Sequence, residues 1–247
     1  MSDTEHDTTF NDSHRLFIQS MLSHHVLKET EAIEIYDKIC RITEVEPIDF
    51  PTFIGIINHQ LNDLDYAIRQ THNQRTGIPL YILINAKQDE MTQIATNYDA
   101  NQLEYLRKLI ELITTADDEM YAIGSMAAIR LGQQMTPPIT QKATEELLEQ
   151  LVSEQWLEEI NGKYVMSIRT ILELSQYLRE QYEEFIKECT LCSEVITMGE
   201  RCSYQTCEVR LHYHCAEQLF VTNKHSLTCP TCSSQWSRSN RFGAGLS

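Results

Sequence analysis

The chain lacks several features that would place it in a class at once. No apolar run reaches the ~20 residues needed to cross a bilayer, so no membrane-spanning helix is expected. The opening residues 1–12, MSDTEHDTTFND, have neither the basic nor the apolar segment of a secretory or transit signal and read as an acidic disordered tail. Positive charge is scarce over most of the length. Before Lys187 there are 14 Lys/Arg against 31 Asp/Glu, a balance of −17, whereas six Lys/Arg and five Asp/Glu follow from Lys187 onward. An acidic body repels phosphate backbones, which disfavours direct DNA binding by this chain and makes proteins the expected partners. Cysteine is almost missing too: Cys40 stands alone until seven cysteines crowd between Cys189 and Cys232. With no export signal, dense cysteine pairs read as metal ligands rather than disulfides.

What is present suits two or three small domains within 247 residues, mainly helical with small β wings. Leu16, Phe17, Met21 and Leu22 form an apolar stripe at helical spacing, with Ser13 as a candidate N-cap. Ala32, Ile35, Tyr36, Ile39 and Cys40 form a second stripe. Pro51 opens a third, running Ile54, Ile57, Leu61, Leu64, Ile68. The turn-rich HNQRTG then leads into PLYILIN, a β-branched run. Three helices followed by a β wing is the order of a winged-helix domain, assigned to 13–100.

The order recurs over 101–186. A helix through Leu103, Leu106, Ile110 and Ile113 precedes YAIGSMAAIRL and the break at Pro137-Pro138. Thr140 is the expected cap of a helix that turns Ala143, Leu147, Leu148 and Leu151 inward. WLEEINGKYVM follows, two strands joined by Asn161-Gly162, the strongest short hairpin signal. A helix from Ser167 to Phe185, with Ile171, Leu174 and Leu178 on one side, leads into the cysteines. The helix before this second wing carries Lys142 against Glu145, Glu146, Glu149 and Glu154, so entry into a DNA groove is disfavoured and a protein-facing scaffold expected. A patch around Arg69 and Arg75 on the first wing is the alternative.

From Cys189 the spacing is Cys189-x2-Cys192-x9-Cys202-x4-Cys207-x4-His212-x2-Cys215-x13-Cys229-x2-Cys232. Eight ligands make two tetrahedral zinc sites with no position open for water, which makes them structural. His212 reaches Cys215 across the same two-residue gap as the other close pairs, whereas His214 adjoins Cys215, and neighbouring side chains in an extended segment point apart. His212 is therefore the expected ligand, His214 a bystander and His225 a loop residue. The pairs can be shared sequentially or interleaved. The short gap between Cys207 and His212 favours interleaving: Cys189, Cys192, His212 and Cys215 on one ion, Cys202, Cys207, Cys229 and Cys232 on the other. This zinc domain is assigned to 187–237, followed by a flexible tail over 238–247.

Four cysteines, one histidine and three cysteines suit both a PHD finger, which reads histone tails, and a variant RING. The aromatic residue that PHD fingers carry two before the seventh ligand is here Leu227, and CPTC is RING-like. CxxC, CSYQTC, EVRLHYHC and CPTCSSQW, with Trp236 just past the last ligand, resemble the variant RING of the non-SMC element 1 family, a subunit of the SMC five/six chromosome-maintenance complex. HRLFIQSMLSHHVL, GIPLYILIN and ANQLEYLRKLIELI resemble corresponding segments upstream. The resemblance implies two tandem winged helices and a variant RING. It implies a MAGE-type non-SMC element 3 and the kleisin non-SMC element 4 as partners, a nuclear, chromosome-associated place, and a role in DNA repair and recombination.

It also implies RING-type ubiquitin ligation, in which a ubiquitin-charged conjugating enzyme is positioned for attack on its own thioester. No residue of this chain is then catalytic. Leu191 and Pro230, inside the first and last cysteine pairs, take the usual contact positions for that enzyme. Ser233 and Ser234 stand where strong ligases commonly place an Arg or Lys, and no tryptophan lies between Cys215 and Cys229, so Leu219 and Phe220 either substitute for it or pack the module. These departures imply weak activity without the partner. The alternative is a non-enzymatic interaction scaffold, and a third reading is the histone-tail reader.

Overall fold

The computed structural model describes residues 9–85, 98–222 and 226–244 of the chain. It divides into two compact units. The first comprises residues 1–73 and 78–87, and the second takes in the short loop Gln74–Gly77 and everything from Gln88. Among the described residues no helix is long and apolar enough to cross a membrane.

In the first unit α1 (Asp12–His24), β1 (Val26–Lys28), α2 (Glu29–Thr43) and α3 (Phe50–Leu61) precede the hairpin of β2 (Tyr66–His72) and β3 (Pro79–Asn85). The cap of α1 is Asn11 rather than Ser13. Asn11 Oδ1 accepts from Ser13 N at 3.0 Å, and Asn11 N donates back to His14 Nδ1 at 3.1 Å. Asn accepts from the following turn as well as Ser does, so the cap shifts two residues upstream and the expected tail is ordered from Thr9, with residues 1–8 outside the described part. α3 opens as expected: Asp49 Oδ2 accepts from Thr52 N at 3.2 Å, with Pro51 in the first turn. Its stripe ends sooner. Leu64 sits exposed in a short 3₁₀ turn closed by Asp65 at φ 58°, and Ile68 belongs to β2. Asn58 fixes that strand by donating to Ile68 O at 2.9 Å and accepting from Ile68 N at 2.7 Å.

Phe17, Tyr36 and Phe53 fill the core, with Phe17 edge-on to Phe53 at 5.4 Å. The three-stranded sheet runs β1-β3-β2.

The second unit begins with α4 (Ala100–Thr114), capped by Asp99, and continues through β4 (Ile123–Gly124), α5 (Ser125–Gln133) and α6 (Gln141–Ser153). Thr140 caps α6 as read from the sequence, with its Oγ1 accepting from Ala143 N at 3.3 Å. Leu147, Leu148 and Leu151 point inward, but Ala143 is exposed and Thr144 takes the buried place. Gly132 on α5 explains the exchange: a Cβ there would collide with the Thr144 side chain, so the two helices touch at this pair. β5 (Leu157–Ile160) and β6 (Lys163–Met166) turn through Asn161 and Gly162, both at positive φ (51° and 74°), the primed-turn geometry that matches strand twist. The helix expected over Ser167–Phe185 is two, α7 (Ile168–Glu173) and α8 (Ser175–Gln181), broken at Leu174. Leu174 and Leu178 still enter the core.

The cysteine-rich part adds β7 (Lys187–Glu188), β8 (Val195–Ile196), β9 (Gly199–Arg201), β10 (Arg210–Leu211), α9 (Tyr213–Glu217) and β11 (Arg241–Phe242). One hydrophobic core runs from Tyr105 and Leu147 through Trp156 to Leu211, Trp236 and Phe242, so this part and the preceding helices are one body. Around that core Arg210 grips Glu119 through Nε–Oε2 (2.8 Å) and Nη2–Oε1 (2.5 Å), Arg201 reaches Asp118 at 2.8 Å, and Tyr121 Oη donates to Phe185 O at 2.6 Å. The flexible tail expected over 238–247 is corrected. Arg241 and Phe242 pair with Glu200 and Gly199 on β9, and Phe242 and Ala244 are buried. Phe242 packs edge-on to Tyr121 and Gly243 N donates to Glu119 O at 3.1 Å, which helps hold so short a strand on the sheet edge; residues 245–247 lie outside the described part.

Candidate metal centre

Two cysteine turns of the same design frame the site. After β7, Cys189 N donates to Glu194 O (2.9 Å) and Ser193 N to Cys189 O (2.8 Å), with Ser193 at φ 60°. Forty residues on, Cys229 N donates to Ser234 O (2.8 Å) and Ser233 N to Cys229 O (3.0 Å), with Ser233 at φ 59°. Each turn aims two sulfurs from a two-residue gap at one point. Ser233, where an Arg or Lys was looked for, holds the turn's left-handed position.

His212 stands where β10 ends and α9 begins. It is the N-cap of α9, and its carbonyl accepts from Ala216 N at 2.8 Å. His212 and Cys215 thus lie three apart at the first helical turn, a spacing that puts both on one face. Strand β10 ends at Leu211, so His214 and Cys215 adjoin in a helix rather than in the extended segment expected from the sequence. His214 is outside the ligand group and stacks on His212, with ring centroids 5.1 Å apart.

The structure brings together Cys189, Cys192, His212 and Cys215 in one group and Cys202, Cys207, Cys229 and Cys232 in another, the ligand atoms within 4.8 Å of one another. This is the interleaved arrangement. Zn–S bonds of about 2.3 Å at the tetrahedral angle place sulfurs roughly 3.8 Å apart. Cys207 and Cys229 Sγ lie 3.7 Å apart, Cys202 and Cys232 Sγ 3.5 Å, and His212 Nδ1 lies 3.4 Å from Cys192 Sγ and 3.9 Å from Cys215 Sγ. A disulfide needs about 2.05 Å, so none of these pairs is one. The donor set and spacing fit a tetrahedral thiophilic ion, with His212 binding through Nδ1.

Protons are shared unevenly in the first group. Hydrogen bonds from Cys192 and Cys215 hold Cys189 far below the usual thiol range, and those with Cys189 and Cys192 drive Cys215 up. Burial opposes charge on His212, yet Cys189 and Cys192 raise its pKa to about 9. In the second group burial pushes Cys202 up to about 12, while contact with Ser234 draws Cys232 down to about 6. A divalent cation would displace those shared protons, with Cys189, Cys192, His212 and Cys215 as ligands in one group and Cys202, Cys207, Cys229 and Cys232 in the other.

The two positions expected to meet a conjugating enzyme are both on the surface: Leu191 is 43% exposed and Pro230 is exposed. Phe220, by contrast, is buried against Trp236 (5.5 Å), so it packs the module. Arg69 is exposed on β2, and Arg75 lies in the loop grouped with the second unit. His225 falls outside the described residues.

Sequence reasoning missed the buried charges beside the site. Glu200 on β9 is 1% exposed and accepts from Trp236 Nε1 (2.8 Å) and Arg238 Nε (2.6 Å). Partners 36 and 38 residues away leave no periodic signal.

The sequence model of the family described as "Nse1 non-SMC component of SMC5-6 complex" matches residues 14–174, well over half the chain. The chain belongs to the Nse1 family. A second model, for a RING-like domain, matches residues 189–232 of this Nse1-family chain. Among curated relatives, "Non-structural maintenance of chromosomes element 1 homolog" of Xenopus laevis is 30% identical over 229 residues, covering 92% of this chain and 83% of that protein. The Homo sapiens homolog is 30% identical, with 91% and 84% covered. The Schizosaccharomyces pombe protein is 24% identical, with 97% and 98% covered. Among solved structures, a chain of an "Nse1-Nse3-Nse4 complex" superposes with a TM-score of 0.80 at 29% identity, covering 92% of this chain and 97% of that one.

Proposed function

We propose that this chain works in DNA repair and recombination as the ubiquitin-ligase subunit of a nuclear SMC five/six assembly. In this reading its two helix-then-hairpin segments are winged helices, docked on a MAGE-type Nse3 beside the kleisin Nse4, and its C-terminal domain positions a ubiquitin-charged conjugating enzyme. Kinship with a structure titled for all three proteins supports the partners.

The observation that carries the ligase reading is the interleaved pair of four-ligand groups, each built on a cysteine turn whose tip residue, Leu191 or Pro230, faces solvent. Zinc in both groups would supply the folding energy, of order 10 kcal/mol per ion, for a module with few large apolar side chains. With all four positions taken by protein in each group, the ions are structural. Seven cysteines are spent as ligands. Cys40, the eighth, is 4% exposed and its thiol is raised by burial, which makes it a poor nucleophile. The chain then accelerates transfer by holding the charged enzyme in the reactive geometry, with no covalent step on its own side chains.

The test is ubiquitin-chain formation by the zinc-loaded chain with its Nse3 partner. Cys189→Ala should abolish it, and Leu191→Ala should lose most of it while zinc content stays unchanged. Wild-type activity in both variants would overturn the ligase reading. A pure scaffold is the second reading, favoured by Ser233, which occupies the turn position where an Arg or Lys would clamp ubiquitin. It predicts no chain formation by the wild-type complex with any conjugating enzyme.

A further inference from the structure

Within the second unit lies a cleft of about 640 Å³ that neither metal group uses. Its walls are the loop Gln74–Gly77, the first turns of α9, and the segment leading into β11. The loop is fixed by Gln74, whose Nε2 donates to Val195 O at 2.9 Å and whose Oε1 accepts from Thr197 N at 2.9 Å. Gly77, at φ 69°, closes it toward α9, where a Cβ would stand 3.7 Å from His214 Cβ.

Three arginines line the cleft, Arg75, Arg238 and Arg241, with two glutamates, Glu200 and Glu217. Arg238 is committed: its Nε bonds buried Glu200 at 2.6 Å and its Nη2 bonds Glu217 at 3.1 Å. Arg241 is held but not spent. Its Nε donates to the Arg238 carbonyl (3.2 Å) and its guanidinium lies over Tyr213, 5.4 Å from the ring centroid. Its two terminal nitrogens make no hydrogen bond to any described residue. A guanidinium fixed in this way presents a planar fork that matches an oxyanion.

Charge selects the ligand. Arg238 is spent on both glutamates and Arg75 faces Glu158, which leaves Arg241 as the lining cation with no carboxylate at salt-bridge distance among the described residues, the complement of one carboxylate. A phosphate ester, at about −1.5 to −2, would face both glutamates. A nucleic-acid strand would run from the cleft onto a body with 31 acidic residues before Lys187. The volume falls in the ~300–1,000 Å³ range of ligand sites and exceeds what one carboxylate fills, so flanking residues fit as well. We propose that this cleft seats a glutamate or aspartate side chain of a partner polypeptide, with the carboxylate on the terminal nitrogens of Arg241.

The experiment is an NMR titration of the full zinc-loaded chain, observing the arginine Nε–Hε signals. The probes are a blocked pentapeptide with a central Glu, the same peptide with Gln, the same with phosphoserine, and a short single-stranded oligonucleotide. The Glu peptide should shift the Arg241 signal saturably and the Gln peptide should not. Arg241→Gln should weaken the Glu peptide about tenfold or more, as expected for a lost charged hydrogen bond, with zinc content unchanged. No saturable shift with Glu, an equal shift with Gln, or tighter binding of the phosphoserine peptide or oligonucleotide would each overturn the proposal. The wild-type comparison of Glu with Gln stands even if the variant folds poorly.

Discussion

The buried carboxylate of Glu200 has two partners, and removing Arg238 leaves only the Trp236 indole. In Arg238→Met the aliphatic stem remains while the counter-charge goes. Stranding a buried charge costs about 3–5 kcal/mol. The Arg238 side chain is 33% exposed against 1% for Glu200, so water reaches one side of the pair and places the expected cost near the lower end, about 3 kcal/mol. Adding Glu200→Gln should restore most of the loss at pH 7, because a carboxamide still accepts from Trp236 and needs no counter-charge. Urea unfolding at fixed free zinc, followed by tryptophan fluorescence, measures each step. A loss under about 1 kcal/mol for Arg238→Met, or a double variant no more stable than the single, would refute this account of the buried pair.

His212→Ala should lower zinc from about two ions per chain to about one, while His214→Ala keeps about two; metal analysis after dialysis distinguishes them. Gly132→Ala should destabilise the chain by about 1–3 kcal/mol, since α5 and α6 touch at Gly132 and Thr144, and adding Thr144→Ala should recover much of it in the same unfolding assay. Burial raises the Glu158 pKa, opposed by Arg75, so the folded state holds the Glu158 proton more tightly than the unfolded chain does. Its contribution is therefore favourable below the ordinary carboxylate range and lost as pH rises through the folded value. Glu158→Gln should then stabilise the chain at pH 7, with an advantage that vanishes toward pH 4 in melts run across that range.

What could be read in advance was local. The apolar stripes of α2 and α6, the Thr140 cap, the Asn161-Gly162 turn and the close ligand pairs each sit within a dozen residues, where helical and strand periods and turn chemistry act directly. Stripe ends were less legible. Leu64 and Ile68 continue the period of α3, but a 3₁₀ turn and a strand override it, because Asp65 reverses the chain and Asn58 recruits Ile68 to the sheet. The strand at Arg241–Phe242 gave no warning, since the β9 edge it pairs with lies forty residues back and the core that Phe242 enters is built from residues more distant still.

The metal ligands and the charges around them illustrate the same division. Cysteine pairs announce themselves because two sulfurs at a fixed short gap have few other uses. Glu119, Glu200, Arg210 and Arg238 carry no such mark: each is an ordinary surface residue by sequence and takes its partner, with Glu200 alone of the four fully buried, only once the fold exists. Glu119 sits in a turn where Asp118, Glu119 and Tyr121 all have positive φ, a conformation L-residues avoid at a cost of order 1 kcal/mol or more each. The bidentate grip of Arg210, the bond from Gly243 N to Glu119 O at 3.1 Å and the Tyr121–Phe185 bond all fall on this turn. They offset its strain and seat the cysteine-rich part on the preceding helices. The surface that would meet a conjugating enzyme is therefore carried on a fixed mount rather than on a tether, and the strained turn is where that fixity is secured.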